Sequence, residues 1–486
     1  MSTVPIFRRM GEGSYVQPGG IVEGEDYIAL GRQVLIQAPY WLMADPGPEA
    51  TGDSPPVLMI TDGCKCSSGL TIDASHSVTL ERQVLIGSNV YLTDKIPYEV
   101  KDDPFLMGYE TRASGRLLIG EGTLIDAGVV VEGNLRIGKG CVVRPNSVVH
   151  SDIPDYCVAS GNPARVTEVF MPSAGEWVSA SDEAEAEELL AQRRNQPLLS
   201  ICIPTYNRAS NLDTCLQSIF SQIGDCPLIE VDVSDNASTD DTPHVVERYM
   251  EDYSNLRYSR NDSNLGADRN ILSVTDHARG IFIKLQGDDD FFIDHSLLPL
   301  LSILQKHADC GVVHINVLNG DGRVYRGEGA ASYLETIGYA ATFITSTILR
   351  REDWHQVGEK TLFNGSSLNQ FYFQFAVLSA INPKYVIVNS SMFTYASNEP
   401  REYNFGEVFV RSYLKVLNHF IGNGLTEEVI RLDKHRLLHS YLIPWYQRIR
   451  RFYDKEITAG FEEIFTENFA EEAYYQYAID WFRSVE

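Results

Sequence analysis

The chain has 486 residues, 44% of them hydrophobic and 22% charged, enough apolar material for two or three folded domains. Its 40 basic residues face 66 acidic ones, a net charge of −26, which argues against a nucleic-acid binder and against general adhesion to an anionic membrane. It holds no apolar run of about 20 residues, the length that spans a bilayer. The N-terminal MSTVPIFRRMGEGSY has no signal-peptide core, and the eight cysteines (Cys64, Cys66, Cys141, Cys157, Cys202, Cys215, Cys226, Cys310) show no disulfide pattern. A protein of the reducing cytoplasm is expected.

From Ile119 the sequence beats in sixes. IGEGTL-IDAGVV-VEGNLR-IGKGCV-VRPNSV-V puts Ile119, Ile125, Val131, Ile137, Val143 and Val149 at one place of successive units, with Thr123, Val129, Leu135, Cys141 and Ser147 at the fifth. The beat also occurs at Leu30 and Ile36 and at Leu80, Ile86 and Leu92. A period of six is neither that of a helix nor that of a simple strand. It predicts a parallel β-helix of triangular coils, six residues to a side, with the first-position aliphatics stacked inward.

These units and the closing run SVVHSDIPDYCVASGNPARV (147–166) resemble the hexapeptide-repeat acyltransferases over roughly residues 25–170. The resemblance implies a left-handed winding, a homotrimer, acetyl-CoA between neighbouring coils, and a histidine base on a projecting loop. The beat breaks after Leu92, which predicts that loop over residues 93–118. It contains no histidine: Asp94-Lys95-Ile96-Pro97-Tyr98 stands where the family has a His-rich stretch, and His76 and His150 flank the region. A general base needs a pKa near neutrality within reach of its proton. Residues 1–170 are therefore read as a trimerising scaffold without acyl transfer; the alternative is a second, acetyl-CoA-dependent O- or N-acetyltransferase site.

Residues 171–196 run from Ser-Ala-Ser-Asp through acidic to basic helix formers, which predicts a solvated linker helix. Strand and helix patterns then alternate, predicting a mostly parallel α/β sheet. LLSICIP (198–204) precedes a helix bearing Leu212, Leu216, Ile219, Phe220 and Ile223; LIEVDVS (228–234) and IFIKLQG (281–287) are further strands. All three end in polar clusters: Thr205-Tyr206-Asn207-Arg208, Asp235-Asn236-Ala237-Ser238 and Asp288-Asp289-Asp290. In a parallel sheet these ends share the edge where open α/β folds bind ligands. Three consecutive carboxylates call for a cation, and hard oxygens suit Mg²⁺ or Mn²⁺ bridging a diphosphate. No GxxxxGK[ST] is present, so a P-loop nucleotidase is not indicated.

SICIPTYNR (200–208), VDVSDNASTDDT (231–242), NLGADRN (264–270) and the ARG…GDDD run (278–290) resemble the family 2 glycosyltransferases of the Rossmann-like GT-A fold, over residues 197–404. The resemblance implies a nucleotide-sugar donor, UDP- or dTDP-linked, and a glycan acceptor. Pro204, Thr205, Tyr206, Arg208 and Asp235, with Asn236, Ser238 and Gly266, would hold the nucleotide. Arg269 and Asn270 would lie near the sugar, Asp288 at the ribose or sugar, and Asp289 and Asp290 at Mn²⁺ or Mg²⁺. Gly287 stands where many members have the first aspartate of Asp-x-Asp. The family's catalytic base, a Glu-Asp pair at a later helix start, is replaced here by Asn369-Gln370, and amides cannot take a proton. Glu352 and Asp353 in the REDW segment are the substitute candidates, with an ordinary helix-start role as the alternative for Asp353.

Residues 405–486 read as an α-helical segment, with Tyr413, Val416, Leu417, Phe420 and Ile421 on one face. KHRLLHSYLIPWYQRIRRFY (434–453) mixes bases with aromatics, which suits an acceptor platform, contact with a lipid-linked glycan at the inner membrane surface, or a bundle packed on the sheet domain. The whole is expected to be a multidomain, metal-dependent inverting glycosyltransferase of bacterial surface polysaccharide synthesis. It would be cytoplasmic or peripheral at the inner face of the cell membrane. A non-catalytic scaffold is the alternative.

Overall fold

In the sixfold region the chain returns to the same sheet after three sides. Ile119 pairs with Ile137, Ile125 with Val143 and Val131 with Val149, all in parallel register. A computed structural model describes residues 7–47, 49–51, 54–96, 114–316, 320–396 and 403–485. Contacts divide the chain into two units, Met1–Arg193 and Arg194–Glu486.

The first unit is a parallel β-helix with three sheets, each strand pairing with the third one after it. Leu30, Ile36, Leu80, Ile86 and Leu92 all sit in its core, each contributing roughly 2 kcal/mol by burial. So do Leu42, Ile60, Cys66 and Ile72, which the sixfold count passed over; Cys66 there takes an aliphatic's place. The fifth-place residues are small because the corners are tight: Thr123 Oγ1 donates to Gly138 O at 2.7 Å and accepts Cys141 N–H at 3.1 Å.

At the break in the beat, buried Asp94 accepts the backbone N–H groups of Ser75, His76 and Ser77 at 2.6–3.1 Å. Lys95 pairs with Asp73 at 2.7 Å and bridges to Ser114. Of the projecting loop expected over residues 93–118, Thr93 ends strand Tyr91–Thr93 and Arg116–Ile119 is itself a β-helix strand, while residues 97–113, including Pro97 and Tyr98, lie outside the described residues. His76 is exposed.

The expected linker is shorter and less solvated than its composition suggested. Cys157–Gly161 continues one β-helix sheet parallel to Val142–Val143, and Ala164–Met171 and Glu176–Ser179 extend it antiparallel. The helix spans Glu183–Asn195, and its Leu189 and Leu190 pack on the β-helix core while Arg193 is buried against Tyr156 O.

The second unit is built on an eight-stranded sheet. In spatial order its strands are Leu256–Arg260, Ile229–Asp235, Leu199–Thr205, Phe282–Leu285, Thr347–Arg350, Val312–Ile315, Lys384–Asn389 and Arg323–Glu328. The first four are parallel; Thr347–Arg350 runs against both neighbours. Helix Asn369–Ala380 is buried almost all round because the C-terminal helices cover it. Phe371 stacks on Tyr413 with ring centroids 4.9 Å apart, and Leu417, Leu438, Tyr446 and Phe482 continue the same core. Residues 405–486 are thus part of this unit rather than a body of their own.

His314, on strand Val312–Ile315, is fully buried with Nδ1 3.2 Å from the Tyr333 hydroxyl. Burial pushes its pKa down to about 3. Unfolding exposes it to water, where it titrates near 6.5, so between pH 6.5 and 3 the unfolded chain binds the extra proton and stability falls with pH. His314→Gln is expected to lose about 2 kcal/mol less than the parent between pH 7 and 5 in urea unfolding of this unit. Equal losses would show that His314 does not carry this acid sensitivity.

Candidate active site

The sheet places its first strand, Leu199–Thr205, between Ile229–Asp235 and Phe282–Leu285. The crossovers therefore leave in opposite directions from its C-terminal end, the position at which open α/β sheets bind ligands. Three polar strand ends meet there. Thr205 Oγ1 donates to Asp288 Oδ2 at 2.7 Å. Arg208 Nη1 lies 3.0 Å from Asp288 Oδ1 and 3.1 Å from Asp289 Oδ2, one guanidinium nitrogen serving two carboxylates. Asp288 is buried, and burial raises its pKa to about 6 against the pull of Arg208 and Thr205. The side chain of Asp289 is 37% exposed.

Asp290, expected beside Asp289 as a metal ligand, turns into the protein instead. Its Oδ2 accepts the Thr345 hydroxyl, and burial raises its pKa to about 6. Gly287 N–H donates to the same hydroxyl oxygen at 2.9 Å. A Cβ at residue 287 would come within 2.9 Å of Asp290 Oδ2 and 3.1 Å of Thr345 Oγ1, a physical reason for glycine before the acidic run. Beneath the turn, buried Lys284 bonds to Thr345 O (2.7 Å), Gln286 Oε1 (2.9 Å) and Leu285 O (3.0 Å). Burial depresses its pKa to about 7, with Asp290 acting the other way. Lys284 and Thr345 escaped sequence reasoning; the lone lysine in an apolar strand was a usable signal, whereas nothing local marks Thr345.

The second strand end proves to be a brace. Asp235 is buried, its Oδ1 taken by Ser238 N–H (2.8 Å) and its Oδ2 by the Tyr258 hydroxyl (2.8 Å), with Arg260 Nε at 3.3 Å. Its own chain thus occupies both oxygens expected to face a nucleotide. Ser238 Oγ accepts Asn207 N–H at 2.8 Å, tying the first two strand ends together. Asn236 binds Asn264 and Leu265 N–H, and buried Asn270 spans Ser234 and Asn261. Gly266, at φ 83°, opens helix Ala267–Asp276. Tyr206 and Arg269 are exposed at the edge, and Pro204 lies within the strand opposite Ser234.

The proposed substitute bases are at the wrong end of the sheet. Because Thr347–Arg350 is antiparallel to Phe282–Leu285, Arg350 sits opposite Phe282, and Arg351 N–H donates to Ile281 O at 2.8 Å. Glu352 and Asp353 follow there, roughly 20 Å from the acidic turn at about 3.3 Å per strand residue. Asp353 is buried and accepts Asn382 Nδ2 at 2.8 Å, a structural role. Asn369 and Gln370 do lie beside the site's wall: Gln370 Nε2 donates to Thr342 O at 2.8 Å, in the turn that carries Thr345. Asp268 was also passed over. From the start of its helix it accepts Gly365 N–H (2.7 Å), Ser367 N–H (3.0 Å) and Asn369 N–H (3.4 Å), anchoring the loop and helix that begin with these amides.

Residues 200–370 match the Glycosyl transferase family 2 model, and residues 117–151 match the bacterial transferase hexapeptide (six repeats). This chain carries a family 2 glycosyltransferase domain. Abequosyltransferase RfbV of Salmonella typhimurium is 31% identical over 204 residues, 37% of this chain and 61% of that protein. The GalNAc(5)-diNAcBac-PP-undecaprenol beta-1,3-glucosyltransferase of Campylobacter jejuni is 33% identical over 120 residues, 24% of this chain and 37% of its own. The chain thus spans 61% of the first of these relatives and 37% of the second, less than two thirds of either. A crystal structure of S. aureus TarS, 18% identical, aligns over 59% of this chain and 90% of its own with a TM-score of 0.40.

Among the described residues, no three carboxylate, imidazole or thiolate groups gather into a metal cage. The acidic turn at residues 288–290 instead presents one outward carboxylate, Asp289, beside buried Asp288. That fits an ion held by one or two carboxylates, with phosphate and water completing its shell. Among the described residues no helix is long and apolar enough to cross a membrane.

Proposed function

We propose that the chain transfers a sugar from a nucleoside-diphosphate donor, UDP- or dTDP-linked, to a hydroxyl of a glycan acceptor, free or lipid-linked, with inversion at the anomeric carbon. The product belongs to a bacterial surface polysaccharide. The observation that carries the reading is the Arg208 guanidinium shared between Asp288 and Asp289 at the C-terminal edge of the parallel strands.

In this mechanism Arg208 is poised to meet the donor's phosphates, since a guanidinium recognises phosphate in the same forked way as carboxylate. Thr205 and Arg208 keep Asp288 oriented for the ribose or sugar hydroxyls. Lys284 and Thr345 lock the turn so that Asp289 points outward. Asp289 would hold Mn²⁺ or Mg²⁺, which when bound neutralises charge on the departing diphosphate. The acceptor hydroxyl attacks the anomeric carbon as the sugar–phosphate bond breaks; the nucleoside diphosphate leaves with the bonding pair, and the hydroxyl proton passes to solvent.

The β-helix, in the left-handed winding of the hexapeptide proteins, serves as a homotrimer scaffold. The loop sequence without histidine supports a scaffold that no longer transfers acyl groups.

The test is thermal stability of the full chain with UDP, dTDP, GDP, CDP or acetyl-CoA, with and without Mn²⁺, alongside light scattering for the trimer. A ligand at ~100 times its Kd stabilises by roughly 2.7 kcal/mol. A Mn²⁺-dependent shift with one pyrimidine diphosphate, none with acetyl-CoA, and a trimer mass are expected. No shift with any nucleotide would overturn the glycosyltransferase reading, and an acetyl-CoA shift would overturn the loss of acyl transfer.

A further inference from the structure

Helix Ile443–Phe452, in the C-terminal region, has one face that no described residue covers. Tyr446 and Ile449 enter the core, while Pro444, Gln447, Arg448, Arg451 and Phe452 are exposed and Trp445 is half-buried. At 3.6 residues per turn the exposed positions occupy one contiguous arc. Phe452 is the most exposed large apolar side chain among the described residues, at 65%. The Arg448 guanidinium lies 5.0 Å from the ring centre of Trp445, and that of Arg451 5.0 Å from Phe452.

The charge of this face runs against the rest of the protein. Residues 434–453 contain no carboxylate, in a chain with 66 acidic residues. Other bases in the segment are engaged within the fold: Lys434 pairs with Glu472 and Arg436 with Asp433, each at 2.5 Å, and Arg450 reaches Thr458. Among the described residues, Arg448 and Arg451 take part in no ion pair. Two unpaired guanidinium groups, each resting on an aromatic ring, with an exposed phenylalanine beside them, match an interfacial layer. The rings fit the boundary between headgroups and acyl chains, and the cations fit lipid phosphates.

We infer that the Trp445–Arg448–Arg451–Phe452 face is a docking surface for an anionic phospholipid membrane. It confines attraction to one patch of a chain whose net charge of −26 would otherwise be repelled. Docking here would bring the protein to the surface where lipid-linked glycans reside.

The experiment is vesicle flotation with the full-length protein, which requires no catalysis and so is independent of the glycosyltransferase reading. Vesicles of phosphatidylcholine alone are compared with vesicles one-third phosphatidylglycerol, at low and high salt. Binding to the anionic vesicles only, weakened by salt, is expected. Arg448→Ser/Arg451→Ser should lower the partition coefficient roughly 30-fold, given the usual strength of a basic residue at an anionic surface. Phe452→Ser should lower it at either salt concentration, and melting points should stay at the parent value because these side chains are exposed. Equal binding to both vesicle types, no binding to either, or variants that bind like the parent would each overturn the assignment. Retention of the variants on anionic vesicles would place the lipid contact elsewhere.

Discussion

Asp289→Asn is expected to lower kcat roughly 10²–10³-fold, the usual loss when one preorganised electrostatic partner of a transition state is removed, while the fold is untouched. Of the three consecutive aspartates it is the one that faces outward; Asp288 is buried beneath Thr205 and Arg208, and Asp290 is turned onto Thr345. The amide keeps the shape and can still accept from Arg208, but it withdraws the charge that would hold a divalent ion. Its link to Arg208 joins two side chains each 37% exposed, the class of ion pair that adds little stability. The melting point should therefore move by about 2 °C or less. Mn²⁺ affinity in the presence of the nucleoside diphosphate, followed by calorimetry, should fall in parallel with kcat. Turnover within twofold of the parent would remove Asp289 from the site and with it the one outward carboxylate of the acidic turn.

Asp268→Ala should act in the opposite manner, on stability first. This carboxylate is buried, which raises its pKa, and it satisfies the backbone N–H groups of Gly365, Ser367 and Asn369. Alanine strands the N–H of buried Asn369, at about 1–3 kcal/mol, and hands those of exposed Gly365 and Ser367 to water at the smaller net cost of a lost hydrogen bond, roughly 1 kcal/mol each. With partial relaxation the loss is about 3 kcal/mol, a melting point lower by roughly 6–10 °C. Asp268→Asn retains one carbonyl oxygen for Gly365 and Ser367 and should lose about a third as much. Activity should fall in both variants, because Gln370 braces the turn carrying Thr345. An alanine variant that melts with the parent would mean that the loop is held by other contacts.

The two architectures were legible for different reasons. In the β-helix each coil repeats the environment of the last, so Ile119, Ile125 and Val131 announce themselves by recurrence. The count began at Leu30 and so passed over Val16 in the first coil, and it lapsed where Cys66 stands for an aliphatic. In the sheet domain, Thr205, Arg208, Asp288 and Asp289 were legible because parallel strands bring their polar ends to one edge. Asp290 bonds to Thr345 rather than facing outward, since consecutive residues at a turn need not face the same way. A partner 55 residues distant, Thr345, decides which side Asp290 takes.

By itself the sequence determined what is local and periodic: the sixfold beat, the alternation of strands and helices, and the polar ends that converge at the first strand. Only the tertiary structure decided what depends on strand direction and on partners far apart in the chain. The antiparallel strand Thr347–Arg350 sends Glu352 and Asp353 to the far edge of the sheet, which no spacing reveals. Tyr258 and Arg260 claim Asp235 for the framework. Arg208 answers Asp288 because burying negative charge without a nearby cation is too costly, and which cation answers which carboxylate is settled by packing.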